Sequence, residues 1–387
     1  MALKQKIHLL FSDNKWVLYL IGLLIGISMG IINPLASTHL EKSNTSNLWI
    51  GTISSSFFFA MSIGSICIDK KMRNKNIKGI ILVGSVLAAM ACGIFPLVSN
   101  LFILLLLMMI MGFFISLSIV GVQTMLQALT EERTRGIISG LYSFNFAIGF
   151  VFSSVIGPKL YIYKPWLPFI IPTVTLILCP VIINLNFHET VIFPEKSKSN
   201  VLKKVSIGLK GAFLYGFTET TLVTLYPIFL IHEKYNLSNI GYALGIFVVG
   251  SIVGTIPMTY ISDKFGREKT LIIMISISIF TALGITIFSS FVLKLIFSFL
   301  SGVVIGPIYP LALAVSVQKL SREEISWGTS LFTSFYGIGS TVGPLISSVA
   351  MSLFGDNYIF SVCLLIFVMF LFTTIVKREK YGAKPTF

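Results

Sequence analysis

Between residues 16 and 376 the chain is cut into apolar stretches, most about 20 residues long and almost free of charge. A helix rises about 1.5 Å per residue, so about 20 residues span the roughly 30 Å hydrocarbon core of a bilayer. Twelve such stretches can be drawn, near 16–38, 47–68, 77–97, 101–124, 135–157, 165–186, 207–231, 238–261, 268–289, 292–317, 326–352 and 357–376. They are continuously apolar and do not alternate, which excludes a transmembrane β-barrel. The expected fold is therefore an all-α polytopic membrane protein with twelve transmembrane helices. Only 11% of residues are charged, against about 25% in soluble proteins. So few charges could not solvate a surface of this size.

A formal net charge of +14 would suggest a nucleic-acid partner in a soluble protein. Here the better reading is topological, because basic residues collect in loops that stay in the cytoplasm. With loops assigned alternately to the two sides, one side holds only Lys42, Lys159, Lys164, Lys234 and Lys294 of the 29 Lys and Arg residues. The other side holds the remaining 24 and both termini, so both termini are expected in the cytoplasm. Trp16, Trp49, Trp166 and Trp327 all fall at proposed span ends, where an amphipathic ring prefers to sit. Lys4, Lys6 and Lys15 precede the first span, and this end is expected to be retained without a cleaved signal. Cys67, Cys92, Cys179 and Cys363 lie inside apolar runs without metal-like spacing, so they read as packing residues. No metal, cofactor or nucleic acid is expected. The short polar loops suit a multi-pass protein of a bacterial cytoplasmic membrane.

The longest polar interval, 187–206, divides the chain into two six-span halves, 1–186 and 207–387. Several features recur at nearly one offset. Asp69 and Asp263 are 194 apart, Pro34 and Pro227 193, His39 and His232 193, and the pairs Glu131-Glu132 and Glu323-Glu324 192. Both halves start on the same side, so the repeat is parallel, about an axis along the membrane normal.

Asp263-Lys264-Phe265-Gly266-Arg267-Glu268-Lys269 reads as a short charged turn between spans eight and nine. Its altered copy, Asp69-Lys70-Lys71-Met72-Arg73-Asn74-Lys75, lies between spans two and three. With two six-helix halves and a long central loop, this Asp-Lys-x-Gly-Arg turn resembles the major facilitator superfamily over essentially the whole chain. The segments Gly302 to Ala314 and Gly337 to Pro344 are similar to its bacterial drug and metabolite exporters. The resemblance implies alternating access, with the halves rocking about a central site lined by spans one, four, seven and ten. It also implies a cytoplasmic gate, made of Asp69, Arg73, Asp263, Gly266, Arg267 and Glu131, that locks in one state and opens in the other. Two exporter features are missing. Met108 stands in span four where many proton-coupled exporters carry an arginine, and Gly149 is followed at the fourth place by Ser153.

Fourteen of the fifteen acidic residues lie in tails, loops or span edges, and the remaining one is Glu219, halfway through span seven. A carboxylate at that depth is costly unless it is protonated, paired or facing water. Glu219 is therefore the expected proton-coupling residue, against the plainer reading of a structural acid bonded to a neighbouring helix. Asn33, Gln123, Asn145, Thr218, Tyr226, Tyr309 and Tyr336, with Ser118 and Thr221, are candidates for the substrate cavity. Taken singly, each also fits a helix-packing hydrogen bond. His39 and His232, at mirrored outer ends, fit interfacial histidines better than a gate pair.

An embedded enzyme would need several convergent acids, nucleophiles or ligands at one depth, and the spans offer a single carboxylate. A sensor would usually carry a soluble domain, and the longest loop is about 20 residues. The expected function is a monomeric secondary transporter that exports a small amphipathic molecule in exchange for protons. Uptake of a metabolite, or flipping of a lipid-like molecule, is the alternative.

Overall fold

Backbone amides in hydrocarbon find no water, so continuous apolar runs can satisfy them only as helices. The computed structural model describes residues 14–71, 76–129, 135–187, 202, 204–318, 320 and 322–380. Among these, twelve helical spans are long and apolar enough to cross a membrane. They are numbered one to twelve: Lys15–Lys42, Asn47–Cys67, Ile77–Leu97, Leu101–Leu126, Leu141–Tyr163, Leu167–Asn186, Ser206–His232, Leu237–Ser262, Arg267–Ile287, Phe291–Ser316, Leu331–Phe354 and Asp356–Thr374. Each stretch expected from the sequence coincides with one span, and the ends agree to within two helical turns.

Breaks follow glycine and proline. Span four is continuous, but its counterpart, span ten, is two helices, Phe291–Ile305 and Ile308–Val317, parted at Gly306-Pro307. Pro307 has no N–H to give to the preceding turn, so the ladder is interrupted there. Tyr309 is the second residue of the second segment, directly after this break. The charged turn after span eight is tighter than expected. The helix runs through Phe265, resumes at Arg267, and is broken only by Gly266 at φ +91°, a conformation that L side chains rarely adopt. At its first copy the helix of span two runs through Lys71, and Arg73 lies outside the described residues.

By its contacts the chain forms two units, one of residues 1–195 with 233–245, the other of 196–232 with 246–387. In the first unit, span one packs on spans five, six and, less extensively, four, span four on two and three, and span three on six. In the second, span seven packs on eleven, ten and twelve, and span nine on ten and twelve. Spans eight and ten meet where Gly250 and Gly302 bring their backbones together. Adding six to each span number of the first unit gives the pairings of the second, so the sequence repeat is also a repeat of packing.

Its register is fixed by glycines, because without a hydrophobic force between helices in lipid, close backbone approach does much of the packing. A Cβ on Gly22 would lie 3.2 Å from the Tyr142 carbonyl oxygen, and one on Gly216 would lie 2.2 Å from that of Tyr336. Gly149 meets the Leu23 carbonyl and Gly343 that of Phe217. Every partner in this comparison is displaced by 194 residues.

Lys294 departs from the sequence expectation. The sequence counts it with the outer-side lysines, at the edge of a span drawn from 292, yet it is wholly buried in the first turn of span ten. Its Nζ donates to the Ile285 carbonyl at 3.1 Å and lies 4.6 Å from the Phe229 ring centroid. A cation on the last carbonyls of span nine, faced by an aromatic ring, replaces part of the lost hydration. All four cysteines are free thiols, three of them buried, as packing residues should be.

Candidate functional site

Span seven is the most thoroughly buried of the twelve. From Thr220 to Leu230 every residue is buried, while Tyr215 and Glu219 keep part of their surface accessible. These two are four residues apart and so share one helix face. Glu219 is thus the last accessible group before the sealed part of the helix.

Two further spans of the second unit complete the surroundings. Tyr336 of span eleven donates its hydroxyl to Glu219 Oε2 at 2.8 Å, and the hydroxyl of Tyr215 interacts with the same carboxyl. The Tyr215 ring lies 5.4 Å from Tyr309 and 6.0 Å from Tyr336, and Tyr309 lies 5.6 Å from Tyr336, centroid to centroid. Phe332 packs edge-on to Tyr309 at 5.1 Å. Three phenols and a carboxyl from three spans therefore form one cluster. The partners of Glu219 are phenols, with no basic side chain among them in the described residues. Phenol donors can hold the carboxyl in either protonation state, but they cannot cancel its charge. Only a proton or a cation can do that.

Of the residues proposed from the sequence, Glu219, Tyr309 and Tyr336 come together. The others do not join them. Thr218 is buried and turns its hydroxyl to Leu214 of its own helix, and Tyr226, fully buried, bonds Ser298 at 2.9 Å. Asn33, Gln123 and Asn145 belong to the first unit. Asn33 is buried with neither amide atom hydrogen-bonded among the described residues, Gln123 is exposed, and Asn145 donates to Leu141 one turn back. Ser118 bonds Ser85 across spans four and three, and Thr221 meets Ser347 at 3.4 Å, as packing hydroxyls do. Of the gate residues, Gly266 forms the break already described, and Arg267 starts span nine. The backbones of Asp69 and Asp263 lie in the helices that carry spans two and eight, just past the spans' ends, but their side chains, like Arg73 and Glu131, lie outside the described residues. The outer histidines have different partners. His39 bonds Tyr161 at 2.9 Å, and His232 pairs with Asp356 at 2.8 Å.

Tyr215 and Phe332 were missed from the sequence. For Tyr215 a signal existed, since it stands one turn from the single mid-span acid. Phe332 gave none, because thirty-three phenylalanines leave any one of them inconspicuous.

The 194-residue register identifies what the first unit carries in the same place. Tyr215, Glu219, Tyr309, Phe332 and Tyr336 correspond to Ile21, Ile25, Ile115, Ile138 and Tyr142. All five counterparts are buried, four of them in one hydrophobic cluster. Tyr142 keeps its phenol, but with Ile25 in place of an acid its hydroxyl has no hydrogen-bond partner among the described residues. This contrast gives a stability prediction. Tyr336→Phe removes a hydrogen bond to a carboxyl and should cost about 1.5–3 kcal/mol. Tyr142→Phe removes an unpaired buried hydroxyl and should be neutral or stabilising by about 1 kcal/mol. Thermal unfolding of the two variants in detergent checks this, and equal destabilisation would mean that the units are not asymmetric here.

Comparison with known proteins agrees with this architecture. The family model described as Major Facilitator Superfamily matches residues 18–211 and 208–386. An uncharacterised MFS-type transporter, YcaD, from Escherichia fergusonii is 23% identical over 87% of this chain and 89% of its own length. Another from Enterobacter sp. is 24% identical over 94% of this chain and 95% of its own length. Among solved structures, a bacterial homolog of the human lysosomal transporter Spinster, inward-facing and unoccupied, superposes with a TM-score of 0.74. It has 14% identity and covers 94% of this chain and 92% of its own. The nucleoside transporter NupG reaches 0.75, at 12% identity over 94% of this chain and 98% of its own. At these identities the two structures bear on the fold alone.

Proposed function

The chain belongs to the Major Facilitator Superfamily, and from that premise we propose that it is a secondary transporter which exports a small amphipathic molecule in exchange for protons. The observation that carries this reading is Glu219, a mid-span carboxyl held by phenols with no basic partner among the described residues. Such a group changes charge by one when it takes or gives a proton, and its surroundings change with it. Its place at the edge of the sealed part of span seven suits a group that meets water in one conformation and loses it in another. Substrate and proton then use one site in turn as the two halves, 1–186 and 207–387, rock about the linker 187–206. The chain acts as a monomer in the bacterial cytoplasmic membrane, with both termini inside, as the 24-to-5 division of basic residues supports. The Asp69, Arg73, Glu131, Asp263, Gly266 and Arg267 group serves as the cytoplasmic gate. Met108, buried in span four where exporters carry an arginine, favours a second reading of uptake or lipid-like flipping.

The test is transport by reconstituted protein in liposomes, with a panel of neutral and charged fluorescent amphipathic compounds. One pH unit is worth about 1.4 kcal/mol per proton, so one-for-one exchange should sustain roughly tenfold accumulation. Accumulation that collapses with the pH gradient supports coupling. Movement indifferent to the gradient would leave a uniporter or flippase.

A further inference from the structure

We propose that the start of span seven and the end of span twelve bind the phosphate of an anionic phospholipid, one per chain, in the leaflet on the side of both termini. The site is distinct from the Glu219 cluster, and the transport reading does not bear on it. Lys210, half-buried in the second turn of span seven, donates its Nζ to Thr373 Oγ1 of span twelve at 3.0 Å. The Thr373 hydroxyl donates in turn to the Phe370 carbonyl at 3.2 Å, so its oxygen is the acceptor that fixes the ammonium. A lysine near a span end ordinarily extends its ammonium to water. This one is tied to a lipid-facing helix, where Met369 and Phe372, close to Thr373 in sequence, are largely exposed. Thr374 is 4% exposed, and its hydroxyl has no hydrogen-bond partner among the described residues. Buried hydroxyls nearly always find one, and a phosphate oxygen held by Lys210 supplies the missing acceptor. Further charge adjoins the pair. Lys204 is exposed just before span seven, and the helix of span twelve runs on past Lys377 to Lys380, one and two turns beyond Thr373. A basic pocket between membrane helices at a leaflet surface is matched by an anionic headgroup, and the exposed apolar flank of span twelve suits its acyl chains.

The first unit does not repeat the site. Lys210, Thr373, Thr374 and Lys377 correspond, 194 residues earlier, to Trp16, Cys179, Pro180 and Ile183, which carry no positive charge. There the chain itself closes the end of span six. Asn14 Nδ2 donates to the Asn186 carbonyl at 2.7 Å, and Lys78 Nζ donates to that of Phe187. One lipid per chain is therefore expected.

Native mass spectrometry and thermal unfolding of the delipidated full-length protein in detergent test this, with dioleoyl phosphatidylglycerol as probe and dioleoyl phosphatidylcholine for comparison. One phosphatidylglycerol should be retained per chain and should raise the melting temperature by about 3 °C or more, and phosphatidylcholine should do neither. Lys210→Met should weaken retention by about fivefold or more and remove the shift. Thr373→Val should weaken retention less, and Lys210→Arg, which keeps the charge, should restore it in part. Lys78→Met, whose ammonium is engaged by the Phe187 carbonyl, should keep the full response. Each variant is read as the difference with and without lipid, so a lower starting stability does not obscure the result. If Lys210→Met does not accumulate, Thr373→Val carries the same comparison. Equal response to phosphatidylcholine, or an undiminished response in both Lys210→Met and Thr373→Val, overturns the site. Equal loss in Lys78→Met also overturns it, because the effect would then be one of general surface charge. An equal shift with inorganic phosphate that disappears in Lys210→Met overturns the lipid and puts a soluble anion in its place.

Discussion

Glu219→Gln, reconstituted in liposomes, is expected to lose substrate-linked proton movement by at least about 100-fold while still exchanging substrate for substrate across the bilayer. The substitution is nearly isosteric. The amide oxygen still accepts from the Tyr336 hydroxyl that now bonds Oε2 at 2.8 Å, so the contact between spans seven and eleven survives. What disappears is the site where a proton can bind and leave, and titration is all-or-none chemistry that an amide cannot perform. The large effect should therefore fall on coupling, with little change in the melting temperature. Glu219→Asp keeps the titrating group but draws it back by one methylene, away from Tyr336, and should retain reduced, coupled flux. A pH-sensitive dye inside the vesicles reads proton movement, and labelled-substrate counterflow reads exchange. Undiminished proton flux in Glu219→Gln would remove this residue from the mechanism and leave it a structural acid.

Much of this architecture was legible in the sequence because lipid permits few alternatives. Apolar runs of bilayer length can only be helices, and all twelve appear where expected. The repeat was legible too, because a duplicated bundle keeps its close contacts. The offset of 194 between Asp69 and Asp263 is the same offset that relates Gly22 on Tyr142 to Gly216 on Tyr336. The site was legible only in part. Glu219 stands out because a mid-span acid is rare and costly. Polar residues such as Thr218, Tyr226 and Ser118 do not sort themselves, since a hydroxyl satisfied by its own helix and one facing a ligand look alike in sequence. Tyr309 and Tyr336 reach the acid from spans ten and eleven, a tertiary fact that spacing along the chain does not encode. Lys294 shows the same limit for charge. A lysine one turn inside an apolar run reads as an interfacial residue that keeps its ammonium in water, but here a carbonyl and the Phe229 ring receive it.

The other large effect expected is structural. Gly149→Leu and Gly343→Leu should each abolish accumulation of monodisperse folded protein. These two glycines are equivalent under the repeat, and each admits a backbone rather than a side chain. A Cβ would sit 2.2 Å from the Leu23 carbonyl oxygen at Gly149, and 2.4 Å from that of Phe217 at Gly343. Contacts under 3.0 Å with backbone cannot be relieved by rotating a side chain, so the helices must part. In lipid that separation removes the packing that held spans one and five, or seven and eleven, together. Alanine, with one methyl to accommodate, should cost about 1–3 kcal/mol at either position, and leucine adds three further carbons at the same contact. Gly79 is the control, because nothing lies within 4 Å of a Cβ built there. Gly79→Ala, in the helix of span three, should be neutral or stabilising by about 0.5–1 kcal/mol through the lower backbone entropy of alanine. Size-exclusion profiles and melting temperatures in detergent read all five variants. A Gly343→Leu protein that melts like wild type would show that close approach of spans seven and eleven does not hold the second unit. Equal losses in both units would show that the duplication preserved this contact as the shared framework, on which Glu219 stands in one unit and Ile25 in the other.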